Sequence, residues 1–229
     1  MAFKVLCDFD GTITKRDTAD AIFSRFAAPE WRDIETRWEA GEIGSAECMR
    51  RQIELLDASL PELDKALDAL EIDPSFAAFA GFCEAAEIEL VIVSDGVEYF
   101  IDRILRQAGL KRLPVRANRL VRLGERSYSL THPYRVMDCA PGAGTCKCMI
   151  AAAEGGHWTT VFIGDGRSDF CVARKADIVF AKNRLLRYAR EQGIAAVPYK
   201  AFSDVQAALG AGLTNRRQQH ALIGADFTL

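Results

Sequence analysis

The chain has 229 residues, 49% of them hydrophobic and 27% charged, with a formal net charge of −3. That length suits one large domain or a core domain with a smaller insertion, and the composition is that of a folded globular protein rather than a disordered one. No basic excess favours nucleic acid or an anionic membrane, and no apolar run reaches the roughly 20 residues that span a bilayer or follows a charged leader, so the expected partner is a small molecule and the expected location the cytoplasm.

The opening run Phe3, Val5, Leu6, Cys7 predicts a buried parallel strand that delivers Asp8-Phe9-Asp10-Gly11-Thr12 at its end. Ligands of open parallel sheets bind outside the carboxyl ends of the strands, so Asp8 and Asp10 stand where a site belongs. Alternation puts both on one side, and Gly11 permits a sharp turn next to a ligand. Two carboxylates held together repel each other unless a cation compensates, which points to a hard divalent ion such as Mg²⁺.

The following stretch reads as helices only: Asp17 to Phe26, Trp31 to Ala40, Ala46 to Leu56, and a fourth behind the capping box Ser59-Leu60-Pro61-Glu62. A crossover between parallel strands needs little more than about a dozen residues. Residues 17–73 are therefore predicted to form a helical cap inserted into a core made of 1–16 and 74–229. Trp31 and Trp38 are read as the cap's own core rather than as pocket wall.

A second buried strand, Leu90-Val91-Ile92-Val93, runs into Ser94-Asp95-Gly96 and an amphipathic helix closed by Gly109. Segments 114–121 and 127–134 predict a β-hairpin appended to the core. Lys147 falls at the start of a helix through Ala153, and the strand Thr160-Val161-Phe162-Ile163 ends in Gly164-Asp165-Gly166-Arg167-Ser168-Asp169. Short strands at 178–181 and 195–197 complete an alternation that predicts an α/β fold with a doubly wound, Rossmann-like parallel sheet. The tail from Gly212 is weakly patterned and carries no assignment. Seven cysteines without a secretion signal indicate reduced thiols. Cys7, Cys83 and Cys171 read as core, while Cys139, Cys146 and Cys148 form a local cluster that His132 and His157 do not extend to a familiar zinc spacing.

Asp8 with Asp10, Ser94, Lys147, and Asp165 with Asp169 occur in this order, each at a strand end or helix start, and together resemble the four motifs of the haloacid dehalogenase superfamily of phosphatases. The resemblance spans nearly the whole chain. It implies Asp8 as nucleophile through an aspartyl phosphate and Asp10 as acid and base. It also implies phosphate held by Ser94, the Asp95-Gly96 backbone and Lys147, with Mg²⁺ on Asp8, the Asp10 carbonyl and Asp165, supported by Asp169.

The helical insertion and Ala117-Asn118-Arg119-Leu120 are similar to the phosphoserine phosphatase group, in which Asp17 would occupy the position of an acidic substrate contact; its own sequence reading as a helix cap stays open. Pro29-Glu30-Trp31, Phe180-Ala181, Leu185-Leu186, Arg190-Glu191-Gln192 and Pro198-Tyr199 resemble the methionine-salvage phosphatases, implying 2-hydroxy-3-keto-5-methylthiopentenyl-1-phosphate as substrate. Phosphoserine, phosphoethanolamine or another small phosphorylated metabolite is the alternative. A receiver-type signalling domain also sets aspartates and a lysine at strand ends, but it has no need of the helical insertion. Where phosphoserine phosphatases carry a carboxylate-binding arginine, just before Ile53-Glu54-Leu55-Leu56, this chain has Gln52.

Overall fold

A computed structural model describes residues 2–153 and 158–225. Seven strands form one sheet in the order β4-β3-β2-β1-β5-β6-β7. They are β1 (Ala2–Cys7), β2 (Glu89–Val97), β3 (Val115–Arg122), β4 (Tyr128–Thr131), β5 (Trp158–Gly164), β6 (Ile178–Ala181) and β7 (Val197–Pro198). Every neighbouring pair is parallel except β3 with β4, which run antiparallel. The expected hairpin is thus no appendage: its first strand joins β2 and its second closes the edge of the main sheet.

The central strands are apolar on both faces because both faces are covered. Phe3, Val5 and Cys7 of β1 pack with Leu90, Ile92, Val161 and Ile163 on one side. Leu6, Val91, Val93 and Phe162 face the other. The first side is covered by α5 (Phe76–Ala85), α6 (Glu98–Gln107) and the start of α9 (Phe202–Ala225); the second by α7 (Lys147–Ala153) and α8 (Asn183–Glu191). This is the physical origin of the uninterrupted apolar runs in the sequence. No helix among the described residues is long and apolar enough to cross a membrane.

Between β1 and α5 lie α1 (Thr18–Phe26), α2 (Trp31–Ala40), α3 (Ser45–Glu54) and α4 (Leu60–Leu67). The chain leaves and returns through a two-stranded stem at Thr14 and Ile72, where Asp73 N donates to Ile13 O at 2.7 Å and Lys15 N to Glu71 O at 3.1 Å. Ile22, Phe23, Ile53 and Leu63 are buried between these helices. Trp31 is buried too, 5.9 Å from Phe23, whereas Trp38 is half-buried beneath the Arg167 guanidinium and lines a cleft, so the two tryptophans divide between packing and pocket wall. The capping box before α4 is formed, with Glu62 accepting from the Ser59 amide at 2.8 Å and its hydroxyl at 2.7 Å.

Candidate active site

Register brings the motifs together. Cys7 pairs with Ile92 and with Ile163, so Asp8, Ser94 and Asp165 emerge at the carboxyl ends of three adjacent strands. Asp8 N donates to Ile163 O at 2.9 Å, and Gly11 adopts φ +69°, a left-handed turn that glycine takes without a Cβ penalty. Lys147, at the first position of α7, reaches in from the far side: its ammonium donates to Asp8 Oδ1 at 2.6 Å, to Asp169 Oδ1 at 2.7 Å and to Ser168 Oγ at 3.2 Å. The Lys147 side chain is 2% exposed and that of Asp169 is fully buried.

The electrostatics follow from this crowding. Burial pushes the Asp8 carboxyl well above the usual carboxylate range, Asp169 adds to the rise, and Lys147 works against it. For Lys147, burial opposes the charge but Asp169 and Asp8 outweigh it, so its pKa is raised and the ammonium is retained. Burial also raises the Asp165 carboxyl, against hydrogen bonds from Asn183 Nδ2 at 3.2 Å and Thr12 Oγ1 at 3.1 Å. Carboxylate oxygens of Asp8, Asp165 and Asp169 lie within 4.8 Å of one another; the Lys147 ammonium pairs with Asp8 and Asp169, and Lys182 adds attraction at Asp165. Three hard oxygen donors with a deficit of positive charge fit a hard divalent cation. Asp169 also accepts from the amides of Asp165 and Gly166, both at 3.0 Å, which holds the turn carrying Asp165.

Asp10 stands apart from that trio. Its Oδ1 accepts from Thr18 N at 2.9 Å and Thr18 Oγ1 at 2.5 Å, and its Oδ2 from Ser94 Oγ at 3.4 Å. Burial raises its pKa although the Thr18 bonds pull the other way. Its side chain is not one of the carboxylates that gather with Asp8. Ser94 Oγ accepts from Gly96 N at 2.9 Å, inside a strand that stays extended through Val97 while its pairing with β3 slips between Val93 and Val97. The strand expected to finish in Ser94-Asp95-Gly96 thus runs one residue further.

Asp95 is differently occupied than expected. Its carboxylate accepts from Thr145 N at 2.8 Å, from Asn118 Nδ2 at 3.3 Å and from the Ser45 hydroxyl, tying β3, the loop before Lys147 and α3 together. Its carbonyl also accepts from Asn118 Nδ2, at 2.6 Å, so side chain and carbonyl both hold neighbouring segments in place. Asp17 caps α1, accepting from Asp20 N at 3.0 Å, and also lines the cleft of about 380 Å³ that contains Asp8 and Asp10.

Several residues of the site carried no sequence signal strong enough to single out: Thr12, Thr18, Asn183 and Glu35, while Asn118 stood in the Ala117-Asn118-Arg119-Leu120 stretch without a role of its own. Asn183 at φ +48° is one whose conformation, not its neighbourhood in sequence, marks it. Cys171 departs from its core reading: it is half-exposed and lines a second cavity, of about 620 Å³, with Cys139, Cys146 and Cys148. His132 bonds Asn118 Oδ1 at 2.7 Å, and His157 lies outside the described residues.

The sequence profile of the haloacid dehalogenase-like hydrolases matches residues 5–174, which takes in every motif aspartate and Lys147. The chain belongs to that family. Two curated relatives are named 2-hydroxy-3-keto-5-methylthiopentenyl-1-phosphate phosphatase. The protein from Brevibacillus brevis is 33% identical over 205 residues, covering 88% of this chain and 92% of the relative. The one from Geobacillus kaustophilus is 32% identical over 212 residues, covering 90% and 94%. A solved phosphoserine phosphatase with an analogue of the phospho-aspartyl intermediate superposes with a TM-score of 0.67, 20% identity, and coverage of 91% of this chain and 99% of that one. At that identity the superposition speaks for the fold of this haloacid dehalogenase-like hydrolase, and the curated relatives speak for a phosphatase.

Proposed function

We propose that this hydrolase is a Mg²⁺-dependent phosphatase of small phosphomonoesters that works through an aspartyl phosphate, and that its substrate is 2-hydroxy-3-keto-5-methylthiopentenyl-1-phosphate, as the names of its relatives suggest. The observation that carries the reading is the Asp8 carboxylate, seated at the strand end 2.6 Å from the Lys147 ammonium and beside Asp165 and Asp169. In the first step an Asp8 oxygen attacks phosphorus while the ester P–O bond breaks and Asp10 gives its proton to the departing alcohol. The raised pKa of Asp10 supports its carrying that proton. In the second step water attacks the same phosphorus, Asp10 takes the proton back, and the bond to Asp8 breaks to release inorganic phosphate.

Ser94, the amides that follow it and Lys147 would bind the phosphoryl oxygens; Lys147 also keeps Asp8 oriented. Asp8, Asp165 and the Asp10 carbonyl would hold the metal, with Asp169 steadying Asp165 and Lys147. When bound, Mg²⁺ neutralises charge on the phosphoryl group as it is transferred. Residues 17–73 would act as a cap that shuts water from the cleft.

The test is release of inorganic phosphate from the enol phosphate and from phosphoserine, each with Mg²⁺ and with excess chelator. Metal-dependent turnover that favours the enol phosphate is the expected result. Equal or better turnover of phosphoserine would overturn the substrate assignment, and turnover that survives chelation would overturn the metal assignment.

A further inference from the structure

On the α2 side of the cleft that also holds Asp8, an acidic side chain is held in place by a buried amide. Gln52, 1% exposed, donates from Nε2 to Glu35 Oε2 at 2.8 Å and to Trp31 O at 3.2 Å. The Cys48 thiol adds a weak contact to the same oxygen at 3.6 Å. Glu35 lines the cleft, and no donor among the described residues bonds its other oxygen, Oε1. A carboxylate fixed on one oxygen, open on the other and facing a substrate cavity is an acceptor prepared for a ligand donor.

Apart from Arg16, the cations lining the cleft or flanking Gln52 on α3 are committed elsewhere. Arg50 pairs with Glu54 at 2.6 Å and Arg51 with Glu47 at 2.5 Å, both on the outer face of α3. Arg167 donates to the Glu39 carbonyl and covers Trp38, and Lys15 pairs with Glu71 at 2.5 Å. Arg16 stands exposed on the cleft rim, before Asp17. A substrate carboxylate on this side would thus meet Glu35 with Asp17 and Asp20 on the same wall, and like charges in a partly desolvated pocket repel.

We propose that Glu35, positioned by Gln52, sets the specificity of the cleft by accepting a hydrogen bond from a hydroxyl or ammonium group on the substrate's carbon skeleton and by excluding substrates whose far end is a carboxylate. The inference rests on the phosphatase reading above, with the phosphoryl group at Asp8. Trp38 and Met49 on the same lining offer an apolar wall for the rest of a short, uncharged chain. Gln52 makes no substrate contact in this scheme; it is a positioning residue that keeps Glu35 from swinging into solvent.

Wild type, Glu35→Gln and Gln52→Leu are compared at saturating Mg²⁺ on p-nitrophenyl phosphate, the hydroxyl-bearing enol phosphate, phosphoethanolamine and phosphoserine, with circular dichroism and Tm as checks of folding. Glu35→Gln has nearly the same shape and keeps an acceptor oxygen without the charge. It should lower kcat/KM for the preferred donor-bearing substrate about tenfold to a hundredfold relative to phosphoserine, chiefly through KM, because a hydrogen bond to a charged group loses that much when the charge is removed. Gln52→Leu should move the same ratio in the same direction, again in KM, which a general loosening of the fold would not single out. Whichever of the enol phosphate and phosphoethanolamine suffers more identifies the natural donor as hydroxyl or ammonium. An unchanged selectivity ratio in a folded Glu35→Gln enzyme, or a wild type that prefers phosphoserine, would overturn the assignment. Absence of wild-type turnover on p-nitrophenyl phosphate would instead overturn the phosphatase reading on which it stands.

Discussion

Asp8, Lys147 and Asp169 meet in one buried cluster of charge, and its chemistry sets what substitution does there. Asp8→Asn removes the attacking carboxylate and should abolish turnover, with the fold intact by circular dichroism. Asp10→Asn should reduce kcat by about 10² to 10⁴, the usual contribution of acid and base catalysis, and a phosphorylated protein trapped by rapid quench would show the second step to be the slower one. Lys147→Met keeps most of the stem but leaves Asp8 and Asp169 buried without an ammonium. Breaking a buried pair in this way costs roughly 3–5 kcal/mol, so the metal-free variant should melt well below the wild type. A divalent ion supplies the missing charge, so Mg²⁺ should raise Tm more in Lys147→Met than in wild type. Equal shifts would mean that the carboxylates do not share the ion.

At the scale of elements, local signals were legible where the physics is local. The apolar runs marked β1, β2 and β5, the capping box marked α4, and the Asp8 and Asp165 clusters fell just past strand ends as the parallel sheet requires. What could not be read were pairings between distant segments: Asp95 to Thr145 and Ser45, Gln52 to Glu35, and the addition of Cys171 to the cavity of the other three cysteines. None of these leaves a period or a spacing in the chain. The Asp95 contacts predict that Asp95→Ala frees the loop before α7 and lets Lys147 drift, lowering kcat more than it raises KM; steady-state kinetics decides this. The α4 cap offers a pH test. Glu62 is held at about 2, first by the Ser59 hydroxyl, then by the Ser59 amide and Arg126. A depressed carboxylate stabilises the fold above its ordinary pKa, and that contribution fades as pH falls toward about 2. The difference in denaturation midpoint between wild type and Glu62→Gln should therefore shrink between pH 6 and the acid limit, as urea titrations at stepped pH will measure.

Across the whole molecule, the four helices between β1 and α5 meet the rest of the chain in two places: α4 and the turn before it are held by Tyr99, Arg103, Arg126 and Tyr128, and a second set of contacts gathers around the cleft. Ala46 N donates to Gly142 O at 3.1 Å, the Ser45 hydroxyl reaches Asp95, and Arg167 reaches back to the Glu39 carbonyl at the end of α2. In the capping role proposed for residues 17–73, these contacts would open and close in each turnover. The tightest point is Gly44 against Gly142: a Cβ on Gly44 would sit 2.6 Å from the Gly142 carbonyl oxygen and 2.9 Å from its Cα. Gly44 has φ −77°, ordinary for any residue, so Gly44→Ala introduces a clash with backbone atoms without straining its own conformation. The two segments must separate, weakening the Ala46 and Ser45 bonds and holding the helices partly open. Open helices admit water and place Glu35 and Trp38 farther from a bound substrate. The expected result is a fall in kcat/KM of about tenfold or more, since small misplacements of positioning groups are that costly, and faster amide exchange in α2 and α3 than in the sheet. Activity and exchange indistinguishable from wild type would show that the helices need not seat on the 139–145 loop for catalysis.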